Sequence, residues 1–156
     1  MKPDIGISDD NRAHVADALA QVLADTYALY QKTHLYHWNV QGPRFIALHE
    51  MFGKQYDALW TSLDEIAERI RSLGVLAPTH ADLAKRTSLA ADNDPAPSED
   101  AMIAALLAGN ETLIQSARAA LHAAAAAGDE ASADHMTTRC ADLEKTAWML
   151  RAHLPA

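Results

Sequence analysis

The chain has little of what disulfides, strands or membrane spans require. Its 156 residues include one cysteine, Cys140, so no disulfide can form within the chain, as is usual in a reducing compartment. Only six glycines and six prolines accompany 49% hydrophobic residues, many of them alanine, which favours long helices. No apolar run approaches the ~18 residues of a membrane helix, and the start lacks an apolar leader. We therefore expect a cytoplasmic protein with no membrane contact.

Positive charge is also scarce. Lysine and arginine number 13 against 21 acidic residues, a net charge of −8 at pH 7. Affinity for nucleic acids depends mainly on lysine and arginine contacts with phosphate, so a broad nucleic-acid surface is disfavoured. An acidic balance suits the attraction of metal cations instead.

Apolar spacing and capping residues predict an all-α bundle of four long helices, with a short helix between helices two and three. The whole chain, residues 1–156, is expected to form one domain, with residues 1–8 as a short tail. Ser8 or Asp9, Ser98 and Asp129 are candidate caps, and Thr79 with Asp82 forms a candidate capping box. The predicted helices run from the first cap to about Asn39, from Pro43 to Leu73, over 80–86, over 99–127, and from Asp129 to about His153.

Two histidines and two carboxylates are candidate metal ligands. His37 and His49 are twelve residues apart, and Asp64 and Glu68 are four apart, which places both carboxylates on one helix face. Imidazole with carboxylate suits iron or zinc. However, fifteen residues of helix separate His49 from Asp64, about 22 Å at ~1.5 Å per residue. Either the two pairs serve different purposes, or two chains bring opposite ends of this helix together.

Simpler explanations exist for each of these side chains. A histidine on an apolar stripe is commonly a hydrogen-bonded core residue, and the acidic stretch around Asp64 could be a solvated, ion-paired face. Trp38, Trp60 and Trp148 are most simply core or interface anchors. There is no glycine-rich phosphate loop, no GxSxG and no HExxH. Glu-x-x-His, the motif with which a ferritin-like bundle builds a di-iron site inside one subunit, is also absent from the sequence.

The runs HWNVQGPRFIALHEMF and DEIAERIRSLG resemble the signature of the Dps family, the mini-ferritins or DNA-binding proteins from starved cells. The likeness covers nearly the whole chain. It implies a ferritin-like four-helix bundle, assembled as a hollow homo-dodecamer with a two-iron ferroxidase centre at each two-fold subunit interface. One subunit would supply His37 and His49, and its partner would supply Asp64 and Glu68. Trp38 would lie beside the centre.

The resemblance also implies an activity. The enzyme would oxidise Fe(II), preferably with hydrogen peroxide rather than dioxygen, and store ferric mineral in the cavity, which protects against oxidative damage. One position departs from the family pattern, because Gly53 stands where many members carry Asp or Glu near the second iron. His34, one turn before His37, is a candidate substitute. Asp129 and Asp134 lie in a segment that resembles the family's iron-uptake pore, although Asp129 could equally be a helix cap.

Two other functions remain open at this point. A structural, nucleoid-compacting protein is the first, but the family's DNA-binding members often use a lysine-rich tail. Here Lys2 and Arg12 face three aspartates within the first twelve residues, and the chain ends in HLPA. Direct DNA binding is therefore disfavoured. The second is a cage that binds zinc or another divalent ion without turnover, because these ligands do not select iron alone.

Overall fold

The computed structural model describes residues 2–154, and within them the chain is helical with no strand. The five helices are α1 (Asp9–Asn39), α2 (Phe45–Ser72), α3 (His80–Arg86), α4 (Glu99–Ala126) and α5 (Glu130–Arg151). The predicted all-α bundle with a short helix between helices two and three is confirmed. None of these helices is long and apolar enough to cross a membrane, as far as residues 2–154 are concerned.

The four long helices pack as two hairpins. Helix α1 packs against α2 and α4, α4 packs against α5, and the short α3 lies on α1. The core between them consists of aliphatic side chains with a few larger ones, among them Leu19, Leu29, Leu48, Phe52, Ile66, Leu106, Leu113 and Met136, all fully buried. Burial of this apolar surface is the main term that stabilises the bundle.

Side chains cap the helices largely where the sequence indicates. Ser8, Ser98 and Asp129 each accept a hydrogen bond from the backbone N–H three residues later. Thr79 and Asp82 form a reciprocal capping box at α3. Gly74 follows the last turn of α2 with a φ of +88°, a conformation that suits glycine.

The start of α2 differs from the prediction. Pro43 does not occupy the first helical turn, because residues 42–44 form a turn and the helix begins at Phe45. The backbone N–H of Arg44 donates to Glu99 Oε1 at 2.9 Å, and Arg44 Nε donates to Glu99 Oε2 at 3.0 Å. This pairing with α4, 55 residues away, holds the turn in place.

The three tryptophans are not core residues in the protomer. Trp38, Trp60 and Trp148 are 64%, 60% and 63% exposed. Of the two predicted alternatives, a core position is therefore wrong and an interface position stays a prediction. For Trp60, the buried face of α2 passes through Leu59 and Ile66 and leaves this side chain on the neighbouring face. Exposed aromatic surface of this size is typical of contacts with another molecule.

A buried carboxylate fixes the long connection between α3 and α4. Asp25 is fully buried, and its Oδ1 accepts hydrogen bonds from Ser88 N at 2.6 Å and Thr87 Oγ1 at 2.9 Å. Its Oδ2 accepts from Ser116 Oγ at 2.6 Å and Gln21 Nε2 at 3.1 Å. One side chain thereby ties α1 to the connection and to α4.

Candidate metal centre

The two predicted histidine ligands lie together where α1 ends and α2 begins. The tight turn between the helices folds His49 back onto His37, and the two rings stack with centroids 3.8 Å apart and planes inclined by 21°. His37 Nδ1 lies 2.8 Å from the carbonyl oxygen of His49, and His49 Nδ1 lies 2.9 Å from the carbonyl oxygen of His37. Each ring thus holds the other in place.

These hydrogen bonds fix which nitrogen is free. A carbonyl oxygen only accepts, so both Nδ1 atoms must carry the proton. In the neutral rings the lone pair then lies on Nε2, the usual arrangement of a metal-binding histidine whose other nitrogen donates to a backbone carbonyl. The carbonyl of His37 is available because it lies in the last turn of α1, where helical carbonyls lack an intrahelical partner.

Gly53 leaves space beside His37. A Cβ atom at Gly53 would lie 3.4 Å from His37 Cε1 and 3.5 Å from His37 Nδ1, which is ordinary van der Waals contact. Glycine is therefore not required by backbone conformation or by lack of room. The effect of Gly53 is chemical. This position lies one turn after His49 and faces the His37 ring, and it supplies no carboxylate there.

The carboxylate pair lies apart from the histidines. Asp64 and Glu68 are both exposed near the carboxyl end of α2, about 22 Å along the helix from His49. Within residues 2–154, no three or more His, Cys, Asp or Glu side chains of one protomer come close enough to hold a metal ion. The two predicted ligand pairs thus lie toward opposite ends of α2, too far apart to meet within one protomer.

Comparison with known proteins places this arrangement in a family. Residues 16–155 match the ferritin-like domain family. The chain is 34% identical to DNA protection during starvation protein 2 of Bacillus anthracis over 142 residues, 90% of this chain and 96% of that protein. Its fold superposes on the Dps protein from Vibrio cholerae O1 with a TM-score of 0.93 at 30% identity, covering 99% of this chain and 97% of the other.

The chain belongs to the Dps family. It is also 35% identical, over 97% of its length and 86% of the relative, to a low temperature-induced protein of Nostoc. The Vibrio protein is described as a member of a broad superfamily of ferritin-like diiron-carboxylate proteins. Family membership supports a general role in binding and storing iron.

An aromatic stripe along α1 of this Dps chain leads to the paired histidines. Tyr27, Tyr30, His34 and His37 recur at steps of three and four along α1, and they lie at its half-buried edge. The ring of His34 lies between Trp38, with centroids 4.1 Å apart, and Tyr56, at 4.3 Å. The His34 and His37 centroids are 6.4 Å apart. His34 thus has a packing role in the protomer, and its role as a ligand stays a prediction.

Tyr56 is the neighbour that sequence reasoning missed. Its ring lies edge-on to His37 with centroids 5.1 Å apart, and Tyr30 packs against it at 6.2 Å. The signal was present, because Tyr56 follows His49 by seven residues and so shares its face of α2. Burial raises the pKa of Tyr30, with the neighbouring Tyr56 second in effect, so the Tyr30 hydroxyl keeps its proton at neutral pH.

The candidate pore residues differ in their surroundings. Asp129 is buried; its Oδ1 accepts from Ser132 N at 3.0 Å and from Arg69 Nη2 at 2.6 Å. The first interaction caps α5 and the second is an ion pair. In the protomer this carboxylate is therefore not presented to solvent. Asp134 is exposed. The pore hypothesis therefore depends on Asp134 and stays a prediction.

A histidine–carboxylate contact lies near the carboxyl end of α2. His135 Nε2 is 3.6 Å from Glu65 Oε2. Burial lowers the pKa of His135, and the Glu65 carboxylate opposes this shift. The sequence offered no periodic or motif signal for this pair, because α2 and α5 are distant along the chain.

Proposed function

We propose that this Dps chain is a ferroxidase and iron store whose Fe(II) substrate is oxidised at sites shared between two subunits. His37 and His49 of one subunit would face the partner subunit's Asp64 and the partner subunit's Glu68. The observation that carries the proposal is the reciprocal hydrogen bonding of the two histidines, which leaves both Nε2 lone pairs available. Two-fold symmetry would then create two sites per pair of chains.

The exposed side chains around the half-sites support association. Asp64 and Glu68 are exposed and four residues apart, so their charges repel until a cation lies between them. Trp38 and Trp60 expose large apolar surfaces on the same side as the histidine cluster. A second copy of the chain would remove this surface from water, which favours assembly. On the basis of the family resemblance, we propose that such contacts build a hollow dodecamer.

The ligands would hold two iron ions unequally. Glu68 would bridge or chelate the tighter ion, and His49 with Asp64 would complete its shell. His37 would hold the second ion, more loosely because Gly53 supplies no carboxylate beside it. Each Fe(II) gives up one electron, so a pair of ions can reduce hydrogen peroxide in a two-electron step that releases no hydroxyl radical. Trp38, next to His37, would intercept stray oxidising equivalents.

Anaerobic loading with Fe(II) followed by a pulse of hydrogen peroxide tests this activity. The wild type should oxidise about two irons per peroxide. The measurements are the ferric absorbance and the peroxide that remains. Asp64→Ala/Glu68→Ala should lose this rapid phase. Asp4→Ala/Asp10→Ala, which removes two exposed carboxylates in the N-terminal segment, should retain it. Oxidation by the wild type no faster than in buffer would leave a metal-binding cage without turnover.

The oxidant and the second iron can be examined in the same system. A dioxygen pulse in place of peroxide should give slower oxidation. Anaerobic Fe(II) titration of His34→Ala should show the same stoichiometry as the wild type, because the His34 ring packs between Trp38 and Tyr56. Loss of one binding step would instead identify His34 as the substitute ligand for the carboxylate missing at Gly53.

A further inference from the structure

Three of the chain's four tyrosines form a continuous series of rings that starts at the paired histidines. The ring of Tyr56 lies edge-on to His37 with centroids 5.1 Å apart, and the ring of Tyr30 follows at 6.2 Å from Tyr56. Tyr27 follows at 6.4 Å from Tyr30, and the exposed His80 stacks on Tyr27 at 5.2 Å with planes inclined by 3°. The series therefore connects the histidine pair with the surface at the start of α3.

Core packing does not account for this series. Tyr27, Tyr30 and Tyr56 are all half-buried, whereas the fourth tyrosine, Tyr36, is 4% exposed and belongs to the core. The hydroxyl of Tyr36 donates to Asp92 Oδ1 at 3.1 Å, so that side chain has a structural role of its own. Rings that touch one after another can pass an electron from each to the next, which an isolated tyrosine cannot do. The arrangement is suited to one-electron chemistry.

The proposed centre is a source of such chemistry, and the inference rests on that proposed function. Because Gly53 supplies no carboxylate beside His37, the second ion is held loosely and a centre can contain a single Fe(II). Hydrogen peroxide then receives one electron instead of two, so that Fe(II) and peroxide give Fe(III), hydroxide and a hydroxyl radical. The imidazoles of His37 and His49 lie within first reach of that radical. A phenol is oxidised more readily than an imidazole, so Tyr56, in contact with His37, is an electron donor that spares the ligands.

We propose that Tyr56, Tyr30 and Tyr27 form a relay that carries a one-electron oxidising equivalent away from the histidine pair. Tyr56 gives an electron and its phenolic proton to the hydroxyl radical, which becomes water, and a phenoxyl radical remains on Tyr56. Tyr30 then gives an electron to that phenoxyl, while Tyr56 takes up a proton from water and Tyr30 releases one to water. The same exchange moves the radical to Tyr27.

The relay ends far enough from the centre to protect it. Tyr27 precedes His37 by ten residues of α1, about 15 Å along the helix at ~1.5 Å per residue. Trp60 lies beside the relay, with its ring centroid 5.4 Å from that of Tyr30. At neutral pH a phenol that releases its proton is oxidised more easily than an indole, so Trp60 does not drain the relay. The radical therefore stops on Tyr27, next to the exposed His80.

A spin trap shows where the radical stops. The assembled protein, loaded anaerobically with one Fe(II) per chain, is mixed with hydrogen peroxide and a nitroso spin trap, which forms covalent adducts with tyrosyl radicals. Peptide mass spectrometry then locates the adduct. We expect it on Tyr27 in the wild type and also in Tyr36→Phe, the matched control outside the series. In Tyr30→Phe the adduct should move to Tyr56, because the middle ring no longer supplies an electron.

Loss of the first donor gives a second readout. Tyr56→Phe should abolish the tyrosine adducts and increase the oxidation of His37 and His49, measured as the gain of an oxygen atom in their peptides. A purely structural role of Tyr56 would change the ferric absorbance without moving oxidation onto the histidines.

The outcomes separate the relay from the oxidation of iron. An adduct that stays on Tyr27 in Tyr30→Phe would overturn the relay while ferric absorbance still forms. Unchanged oxidation of the two histidines in Tyr56→Phe would do the same. A wild type that forms no ferric absorbance after the peroxide pulse would overturn the proposed oxidation of iron, and the relay with it.

Discussion

Mixing two inactive variants should restore activity if each centre takes ligands from two chains. His37→Ala/His49→Ala removes the histidine half-site, and Asp64→Ala/Glu68→Ala removes the carboxylate half-site. Neither variant alone should oxidise iron rapidly. In a dimer of one chain of each kind, however, the intact histidines of one chain meet the intact carboxylates of the other at one of the two sites.

The expected recovery follows from counting sites. Random pairing of equal amounts makes half of the dimers mixed, and one of the two sites in each mixed dimer is complete. About a quarter of the wild-type rate per chain should therefore return. The reasoning depends on the ~22 Å between His49 and Asp64 along α2, which prevents one chain from completing a site.

The assay is the rate of ferric absorbance after a peroxide pulse, with the fraction of mixed dimers measured by native mass spectrometry. A matched control mixes wild type with a chain that carries all four substitutions. Shared sites predict about a quarter of the wild-type rate for this mixture, whereas sites within one chain predict about half. Background activity in the first mixture together with half activity in the control would refute the shared centre.

Three further changes test other parts of the structure. Asp25→Ala should lower the free energy of unfolding by about 3 kcal/mol in chemical denaturation, because it leaves buried donors unpaired; Asp17→Ala, at an exposed ion pair, should cost below about 1 kcal/mol. Burial lowers the pKa of His135 below 6.5, so as the pH falls this side chain takes up its proton in the unfolded chain before it does so in the folded one. The free energy of unfolding should therefore drop between about pH 7 and 5.5, and it should drop less in His135→Gln. Equal slopes of unfolding free energy against pH in the two proteins would refute this. Gly53→Ala should raise the unfolding free energy by about 0.5–1 kcal/mol, since its Cβ fits beside His37; a loss of stability would show that the ring cannot tolerate it.

Local signals in the sequence predict most of the fold. Helix ends follow caps such as Ser98 and stop residues such as Gly74, whose effects reach only a few residues. The start of α2 was missed because Glu99, 55 residues away, holds Arg44 in a turn. For the three tryptophans the sequence left core and interface positions open, since hydrophobicity alone does not distinguish a core face from a face that another subunit could cover.

The sequence selects residues for the candidate site but not their hydrogen bonds. Spacing and resemblance select His37, His49, Asp64 and Glu68, and both their role as ligands and their assignment to two subunits stay predictions. Sequence could not show that each histidine donates to the other's backbone carbonyl, because this depends on the turn that brings α2 back onto α1.

The two pairs of proposed ligands differ in how far the protomer orders them. The histidines are held by stacking and by two hydrogen bonds, so they would lose little freedom on binding a metal. Asp64 and Glu68 are exposed and repel each other, so a bound cation would relieve this repulsion. If iron requires both halves, iron and the second subunit must each strengthen the binding of the other by the same factor. Iron affinity and subunit association in this Dps chain are then one coupled equilibrium, and the ~22 Å length of helix between the half-sites is its cause.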